Sequence, residues 1–153
     1  MSIKDIKACL SHKTDNWRTP NDLYNAVKEL GYYDTFPYEC EYNEFDRGYY
    51  FTDLFINPPF SKLDKVGEWV IEQVKHGCKV LLLIPARTDT KYFHKMLRYN
   101  PVIFFIKGRL HYNESKLSAP FPTIMMVFGL QDYYTCYKSG EMEDLIAWLR
   151  EIS

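Results

Sequence analysis

The residues with the clearest capacity for chemistry are Asn57-Pro58-Pro59-Phe60, which directly follow an apolar segment at 51–56. Two adjacent prolines restrict φ and so hold the backbone carbonyl groups in fixed directions. The side-chain carbonyl of Asn57 and the backbone carbonyl of Pro58 can both accept hydrogen bonds from one NH2 group. The ring of Phe60 would stack on the flat molecule that carries this amine. The tetrapeptide therefore predicts a site for an aromatic amine.

This site favours chemistry at the amine nitrogen, whose lone pair is delocalised into the attached ring. Two acceptors withdraw charge from the N–H bonds and favour a pyramidal nitrogen, so the lone pair can attack a methylsulfonium in line. Such a transfer requires neither a covalent nucleophile nor a metal. The alternative interpretation is a proline-stiffened strand end without a chemical role.

The surrounding segments alternate between short apolar runs and helical periodicity, which predicts an α/β fold. Folds of this class bind ligands where strands end, and the tetrapeptide lies at such a point. We expect a single domain over residues 1–153, in which Thr19 caps the first helix and Pro20 is its first residue. The predicted helices cover 20–30, 64–76, 89–98 and 141–151, and the predicted strands cover 35–40, 51–56, 79–84, 102–106 and 123–128.

Five segments in this order resemble those of the phage-type DNA N6-adenine methyltransferases. They are Trp17-Arg18-Thr19-Pro20, Asn57-Pro58-Pro59-Phe60, Pro85-Ala86-Arg87-Thr88-Asp89-Thr90, Lys107-Gly108-Arg109-Leu110 and Ala119-Pro120-Phe121-Pro122. The tetrapeptide at Asn57 is similar to the [DNS]-PP-[YFW] motif of amino-methyltransferases. The resemblance implies a compact Rossmann-like fold, with a mostly parallel sheet and an antiparallel last strand. It also implies S-adenosylmethionine as methyl donor and adenine N6 in DNA as acceptor, the base being flipped out of the duplex.

The resemblance also implies roles for individual residues. The catalytic residues would be Asn57, Pro58, Pro59 and Phe60. The cofactor-binding residues would be Trp17, Thr19, Pro20, Glu39 and Asn57. Glu39 takes the place of an aspartate that is common in the family, and its carboxylate could accept from the methionine ammonium.

The sequence departs from ordinary methyltransferases on the cofactor side. The glycine-rich loop is absent, and only 17 residues separate Glu39 from Asn57. Two strand–helix units that usually hold the ribose and adenine of the cofactor cannot fit into that interval. We therefore expect the fold to lack part of the usual cofactor-binding half.

Contacts with DNA would have to come from a local basic patch, because the net charge is −1. Residues that follow strands or lie in the intervening loops could form it: Lys62, Arg87, Thr88, Lys107 and Arg109. Solvated loop charges are the alternative interpretation. The polar N-terminus and the scattered cysteines predict a cytoplasmic protein with reduced thiols, no membrane segment and no metal site. A homodimer is possible.

Two other functions stay open at this point. One is a methyltransferase with a different acceptor, either cytosine N4 or a protein glutamine, although Asn57 and the missing glycine-rich loop favour neither. The other is a catalytically silent methyltransferase fold that binds DNA or protein.

Overall fold

Helices and strands alternate along the chain, as expected of an α/β protein. The computed structural model describes residues 17–37, 48–112, 116–131 and 133–153. The helices are α1 (Asn21–Glu29), α2 (Leu63–Lys75), α3 (Lys91–Leu97) and α4 (Met142–Ile152). The strands are β1 (Tyr33–Asp34), β2 (Leu54–Ile56), β3 (Val80–Pro85), β4 (Val102–Ile106), β5 (Thr123–Phe128) and β6 (Tyr137–Gly140).

The six strands form one sheet in the order β1-β2-β3-β5-β4-β6. Strands β1, β2 and β3 are parallel neighbours, and β4 pairs in parallel with β6. Strand β5 lies between β3 and β4 and is antiparallel to both. Five of the described strands therefore end at the same edge of the sheet, which we call the carboxyl edge, and β5 begins there.

The core lies in the middle of this sheet. Every residue of β3 and β5 is buried, which requires cover on both faces. Two helix pairs supply contacts around the sheet, since α2 packs against α3 and α1 packs against α4. Burial of an aliphatic or aromatic side chain contributes about 1.5–3 kcal/mol, so these two strands dominate the stability of the fold.

The first helix begins one residue later than the sequence predicts. Helix α1 starts at Asn21, with Pro20 in an extended conformation at the capping position. Thr19 does not cap the helix, because its hydroxyl accepts a hydrogen bond from Asn57. Gly31, with φ of 86°, ends the helical segment in the left-handed conformation that glycine adopts without strain.

The fold class predicted from the sequence is confirmed, whereas several strand boundaries are corrected. Strand β1 is Tyr33–Asp34 rather than 35–40: Thr35 and Phe36 form a bend, and 38–40 lie outside the described residues. Strand β2 is shorter than 51–56, since Phe51 is 97% exposed. The strand at 123–128 is antiparallel as expected, but it is not the last, because β6 follows it.

Candidate active site

The sheet positions Asn57 at its carboxyl edge. Strand β2 is fully buried and ends at Ile56, and the two prolines then carry the chain to a 3-10 turn at Phe60–Lys62. Pro59 is extended, with φ of −61° and ψ of 126°. The ends of β3 and β4 lie at the same edge, so loops distant in sequence meet beside Asn57.

The amide of Asn57 is held in one orientation by two hydrogen bonds. Its Nδ2 donates to the backbone oxygen of Trp17 at 2.5 Å and to Oγ1 of Thr19 at 2.9 Å. A backbone carbonyl can only accept, so the nitrogen of the amide has to face Trp17. The amide oxygen consequently faces the other way. This Oδ1 is buried and has no hydrogen-bond partner among the described residues.

A buried acceptor without a partner is costly, by about 1–3 kcal/mol for a neutral group. Such groups are rare in folded proteins, and a ligand or a catalytic role is one of the explanations for them. Asn57 is 7% exposed, so bulk water offers little compensation. Its Oδ1 is therefore able to accept a hydrogen bond from an N–H donor.

Four aromatic rings form a cluster beside Asn57: Trp17, Phe60, Tyr112 and Phe121, which we call the aromatic cluster. The Trp17 and Phe60 rings are stacked, with centroids 5.6 Å apart and planes at 19°. Tyr112 and Phe121 each meet Phe60 edge-on, with centroids at 5.9 and 5.4 Å. Trp17 and Phe121 are partly exposed, whereas Phe60 and Tyr112 are buried.

The topology explains why these rings meet. Phe60 follows β2, Tyr112 follows β4, and Phe121 precedes β5, so all three lie at the carboxyl edge. The loops that carry them are tied together by backbone hydrogen bonds. Ala86 donates to Pro122 at 2.9 Å, and Ala119 donates to Leu110 at 2.8 Å.

Two members of the aromatic cluster were not predicted from the sequence. Tyr112 was not singled out, and Phe121 was quoted only within its loop motif. Burial raises the pKa of Tyr112 above its usual range, and the hydrogen bond with Oγ1 of Thr123 at 3.3 Å opposes this only in part. Tyr112 therefore stays neutral and lines the site as a flat apolar ring. The sequence did contain a signal for both residues, because Tyr112 follows one apolar strand and Phe121 precedes the next.

The segment predicted to face the cofactor lies against Asn57. Thr19 is 8% exposed, and its hydroxyl contacts the amide nitrogen directly. The ring of Trp17, in contrast, packs on the other three rings of the aromatic cluster. Glu39 lies outside the described residues. Within them, the carboxylate at the end of β1 belongs to Asp34, which was not predicted because the strand was expected further along the chain.

The predicted DNA-binding residues are all exposed: Lys62, Arg87, Thr88, Lys107 and Arg109. Arg87 follows β3 and Arg109 follows β4, so both lie at the carboxyl edge. The loop of Arg87 is ordered internally, since Oγ1 of Thr90 donates to the backbone oxygen of Arg87 at 2.8 Å. Nε2 of His94 bonds the backbone oxygen of Thr88 at the same distance. The structure thus brings both arginines to the edge that carries Asn57.

Other features of the described residues concern metals, membranes and thiols. No group of three metal-ligating side chains occurs in the described part of the chain. None of its helices is long and apolar enough to cross a membrane. Cys78 and Cys136 are free thiols, and burial raises the pKa of Cys78. Cys9 and Cys40 lie outside the described residues.

The fold and the site together define a Rossmann-like α/β protein with a buried amide oxygen, without a partner among the described residues, at the carboxyl edge of its sheet. The family model for DNA N-6-adenine-methyltransferase (Dam) matches residues 7–123, which is more than half of the chain. The chain therefore belongs to this family of DNA adenine methyltransferases. Comparisons with curated proteins and with solved structures gave no match.

Proposed function

We propose that this protein transfers a methyl group from S-adenosylmethionine to N6 of adenine in DNA. The observation that carries the proposal is the buried, unpartnered Oδ1 of Asn57 beside an aromatic cluster. The exocyclic amine of adenine supplies two N–H donors on a flat ring. It therefore matches both the acceptor and the rings at the carboxyl edge.

Asn57 and Pro58 would act on the target amine as paired acceptors. Both of the Nδ2 hydrogens of Asn57 are used by Trp17 and Thr19, so the amide cannot rotate without losing two bonds. Its oxygen therefore stays directed at the incoming amine without further ordering. Preorganised polar groups of this kind cost no reorganisation during the reaction. By accepting from the N–H bonds they raise the electron density on the nitrogen, whose lone pair would form the new bond to the methyl carbon. The bond from that carbon to sulfur would break in the same step, and the amine would then lose one proton to solvent.

Phe60 would hold the plane of the flipped base. A base extruded from a duplex loses stacking with its neighbours, at a cost of a few kcal/mol. Stacking on an aromatic side chain returns about 1–3 kcal/mol per base. Phe60 begins the 3-10 turn directly after Pro59 and is three positions after Asn57 in the sequence.

The cofactor site can be tested against the residues that the structure describes. A methionine ammonium requires an acidic or carbonyl acceptor, and Asp34 ends the strand next to β2. Thr19 lies against Asn57, and the resemblance to the family implies that Thr19 contacts the cofactor. These residues fit the cofactor, and we propose that Thr19, Pro20 and Asp34 contact it together with Glu39 and the backbone of Trp17, whose ring lies in the aromatic cluster. When bound, S-adenosylmethionine supplies an electrophilic methyl group on sulfur.

The DNA backbone would bind along the carboxyl edge. Phosphate contacts position a duplex without reading its sequence, and arginine and lysine supply most of them. Arg87 and Arg109 flank the site from two loops, and Lys62 follows Phe60 by two residues. The cytoplasmic location stays a prediction, and so does the homodimer.

The test is transfer of labelled methyl from S-adenosylmethionine to unmethylated genomic DNA, followed by nucleoside analysis of the product. We expect label in N6-methyladenine, and we expect Asn57→Ala to reduce transfer by at least about 10²-fold, the scale for loss of one preorganised polar contact. The thermal unfolding temperature of the variant is the control for the fold. Near-normal turnover by Asn57→Ala would contradict the assigned role. Label in N4-methylcytosine would show that the acceptor is cytosine. Failure to bind S-adenosylmethionine would favour a catalytically silent methyltransferase fold that binds DNA or protein.

A further inference from the structure

The stacked pair of Trp17 and Phe60 raises a conflict with base binding. Aromatic rings stack with centroids about 4.5–7 Å apart, and the Trp17 ring lies within that range of Phe60 at 5.6 Å. The other rings of the aromatic cluster meet Phe60 nearly at right angles, at 82° and 85°. Phe60 is only 7% exposed in this arrangement. A base cannot stack on the face that Trp17 covers until the indole leaves it.

We propose that the indole of Trp17 occupies the position of the target base in the DNA-free protein and is displaced when the base arrives. The inference rests on the proposed function and specifies the size of its substrate. An indole consists of two fused rings, like a purine, whereas a pyrimidine has one. A slot that accepts the indole between Phe60 and the edges of Tyr112 and Phe121 therefore has the dimensions of a purine. This geometry favours adenine over cytosine.

The way in which Trp17 is held suits such a displacement. Its backbone oxygen is anchored by Nδ2 of Asn57, so the chain at this point is fixed at the site. The residue is partly exposed, whereas Phe60 and Tyr112 are buried. Rotation about the side-chain bonds moves a ring between staggered positions without moving the backbone. The indole can therefore leave Phe60 while Asn57 keeps its orientation.

The buried neighbours would remain in place during this exchange. Tyr112 is 2% exposed, and its hydroxyl is bonded to buried Thr123 at 3.3 Å. Phe60 is held between the prolines and the start of α2. Phe60 and Tyr112 are therefore held in place, and we expect the ring of Trp17 to move.

The first test uses 5-fluorotryptophan protein and fluorine NMR, with the Trp17 signal assigned from a Trp17→Phe variant. The ligands are single-stranded adenine and cytosine homopolymers, which require neither base flipping nor a known recognition sequence. Saturation is followed by fluorescence anisotropy of the labelled oligonucleotide. We expect the Trp17 signal to shift with the adenine homopolymer and to stay with the cytosine homopolymer. Equal shifts with both ligands, or no shift at saturation, would overturn the proposal.

The second test compares the DNA dependence of methyl transfer in variants of the stacked pair. Trp17→Ala removes a competitor of the base, so we expect the KM for DNA to fall roughly two- to tenfold, the scale of one aromatic pair. Phe60→Ala should raise the same constant. Trp148→Phe, on the distant helix α4, is the matched control and should leave it unchanged. If Trp17→Ala and Phe60→Ala both raise the KM for DNA, the indole supports the base rather than competing with it, and the inference is wrong.

The two tests separate the inference from the proposed function. Absence of methyl transfer to any DNA would contradict the proposed function, while the NMR measurement would still show whether a purine displaces Trp17. Methyl transfer without a change at Trp17 would leave the function in place and remove the inference.

Discussion

Two parts of the sheet differ in how much structure supports the residues of the candidate site: β3, β5, β4 and β6, which we call the well-built end, and β1 and β2, which we call the thin end. Strands β3 and β5 have six residues each, all of them buried. Strand β2 has three residues and β1 has two, and both residues of β1 are partly exposed. The loops that carry Tyr112, Phe121 and Arg87 extend from the well-built end. The proposed cofactor residues Thr19 and Asp34 belong to the thin end.

Asn57 lies where the two ends meet, and its amide connects them. The nitrogen binds the N-terminal segment through Trp17 and Thr19, and the oxygen, which we propose accepts from the target amine, has no partner among the described residues. At the thin end, hydrogen bonds from Asn57 hold the segment of Trp17 and Thr19 in place. At the well-built end, the buried strands β3 and β5 hold the loops in place. In the site as proposed, the residue that accepts from the amine also anchors the segment at Trp17 and Thr19, beside the short strands β1 and β2.

The largest expected effect is on stability at the well-built end. Leu82 is fully buried in β3 and pairs in register with Met126 and Ile56. Leu82→Ala should lower the free energy of unfolding by about 2–5 kcal/mol, because it leaves a cavity in a close-packed core. Tyr33→Ala in β1 is the comparison variant and should cost less. Urea unfolding measures both, and equal losses would mean that the two ends are equally important for the fold.

A smaller effect is expected on the use of DNA. Phe60→Ala should reduce kcat/KM for DNA by about 1–3 kcal/mol in transition-state stabilisation, since the base loses its stacking partner. The KM for S-adenosylmethionine should change little. Phe105→Ala, at a ring that is 42% exposed on β4, is the matched control. If Phe60→Ala raised only the KM for S-adenosylmethionine, Phe60 would act on the cofactor rather than on the base.

The sequence allowed the well-built end and the acceptor tetrapeptide to be predicted in some detail. Continuous apolar runs identify β3 and β5 because both faces of these strands are covered. The helix predicted over 64–76 is confirmed as well, as α2, and its residues Val66, Trp69, Val70 and Gln73 are all buried. These elements are determined locally by residue type and period.

The remainder depends on contacts between distant segments. Strand β6 was missed because its residues, such as Tyr137 and Lys138, are exposed or half-buried at the sheet edge and show no apolar pattern. The hydrogen bond from Asn57 to Thr19 and the stack of Trp17 on Phe60 join residues about 40 positions apart. Helix-capping rules predict that the Thr19 hydroxyl accepts from the backbone of α1, but it accepts from the buried amide of Asn57 instead.

A third prediction tests how completely Tyr112 is enclosed at the well-built end. Burial raises the pKa of Tyr112, so the folded protein keeps this proton at a pH at which the unfolded chain loses it. Its contribution is therefore fully present below about pH 10, and stability falls as the pH rises further, by about 1.4 kcal/mol per pH unit. Tyr112→Phe should make the alkaline fall shallower, with Tyr32 and Tyr92 accounting for part of what remains. Urea unfolding between pH 8 and 11 measures the slopes, and parallel curves would show that Tyr112 is accessible to water.

The smallest expected effect concerns the hydrogen bond that joins the two ends. Thr19→Val keeps the shape of the side chain and removes the hydroxyl that accepts from Asn57 at 2.9 Å. One N–H of the amide then lacks its partner, at a cost of about 0.5–1.5 kcal/mol, and the orientation of Oδ1 is less fixed. We expect kcat to fall up to about tenfold with an unchanged KM for DNA, and Thr19→Ser to restore it. If only the KM for S-adenosylmethionine rises, Thr19 acts on the cofactor directly and the thin end is held to Asn57 by the Trp17 carbonyl alone.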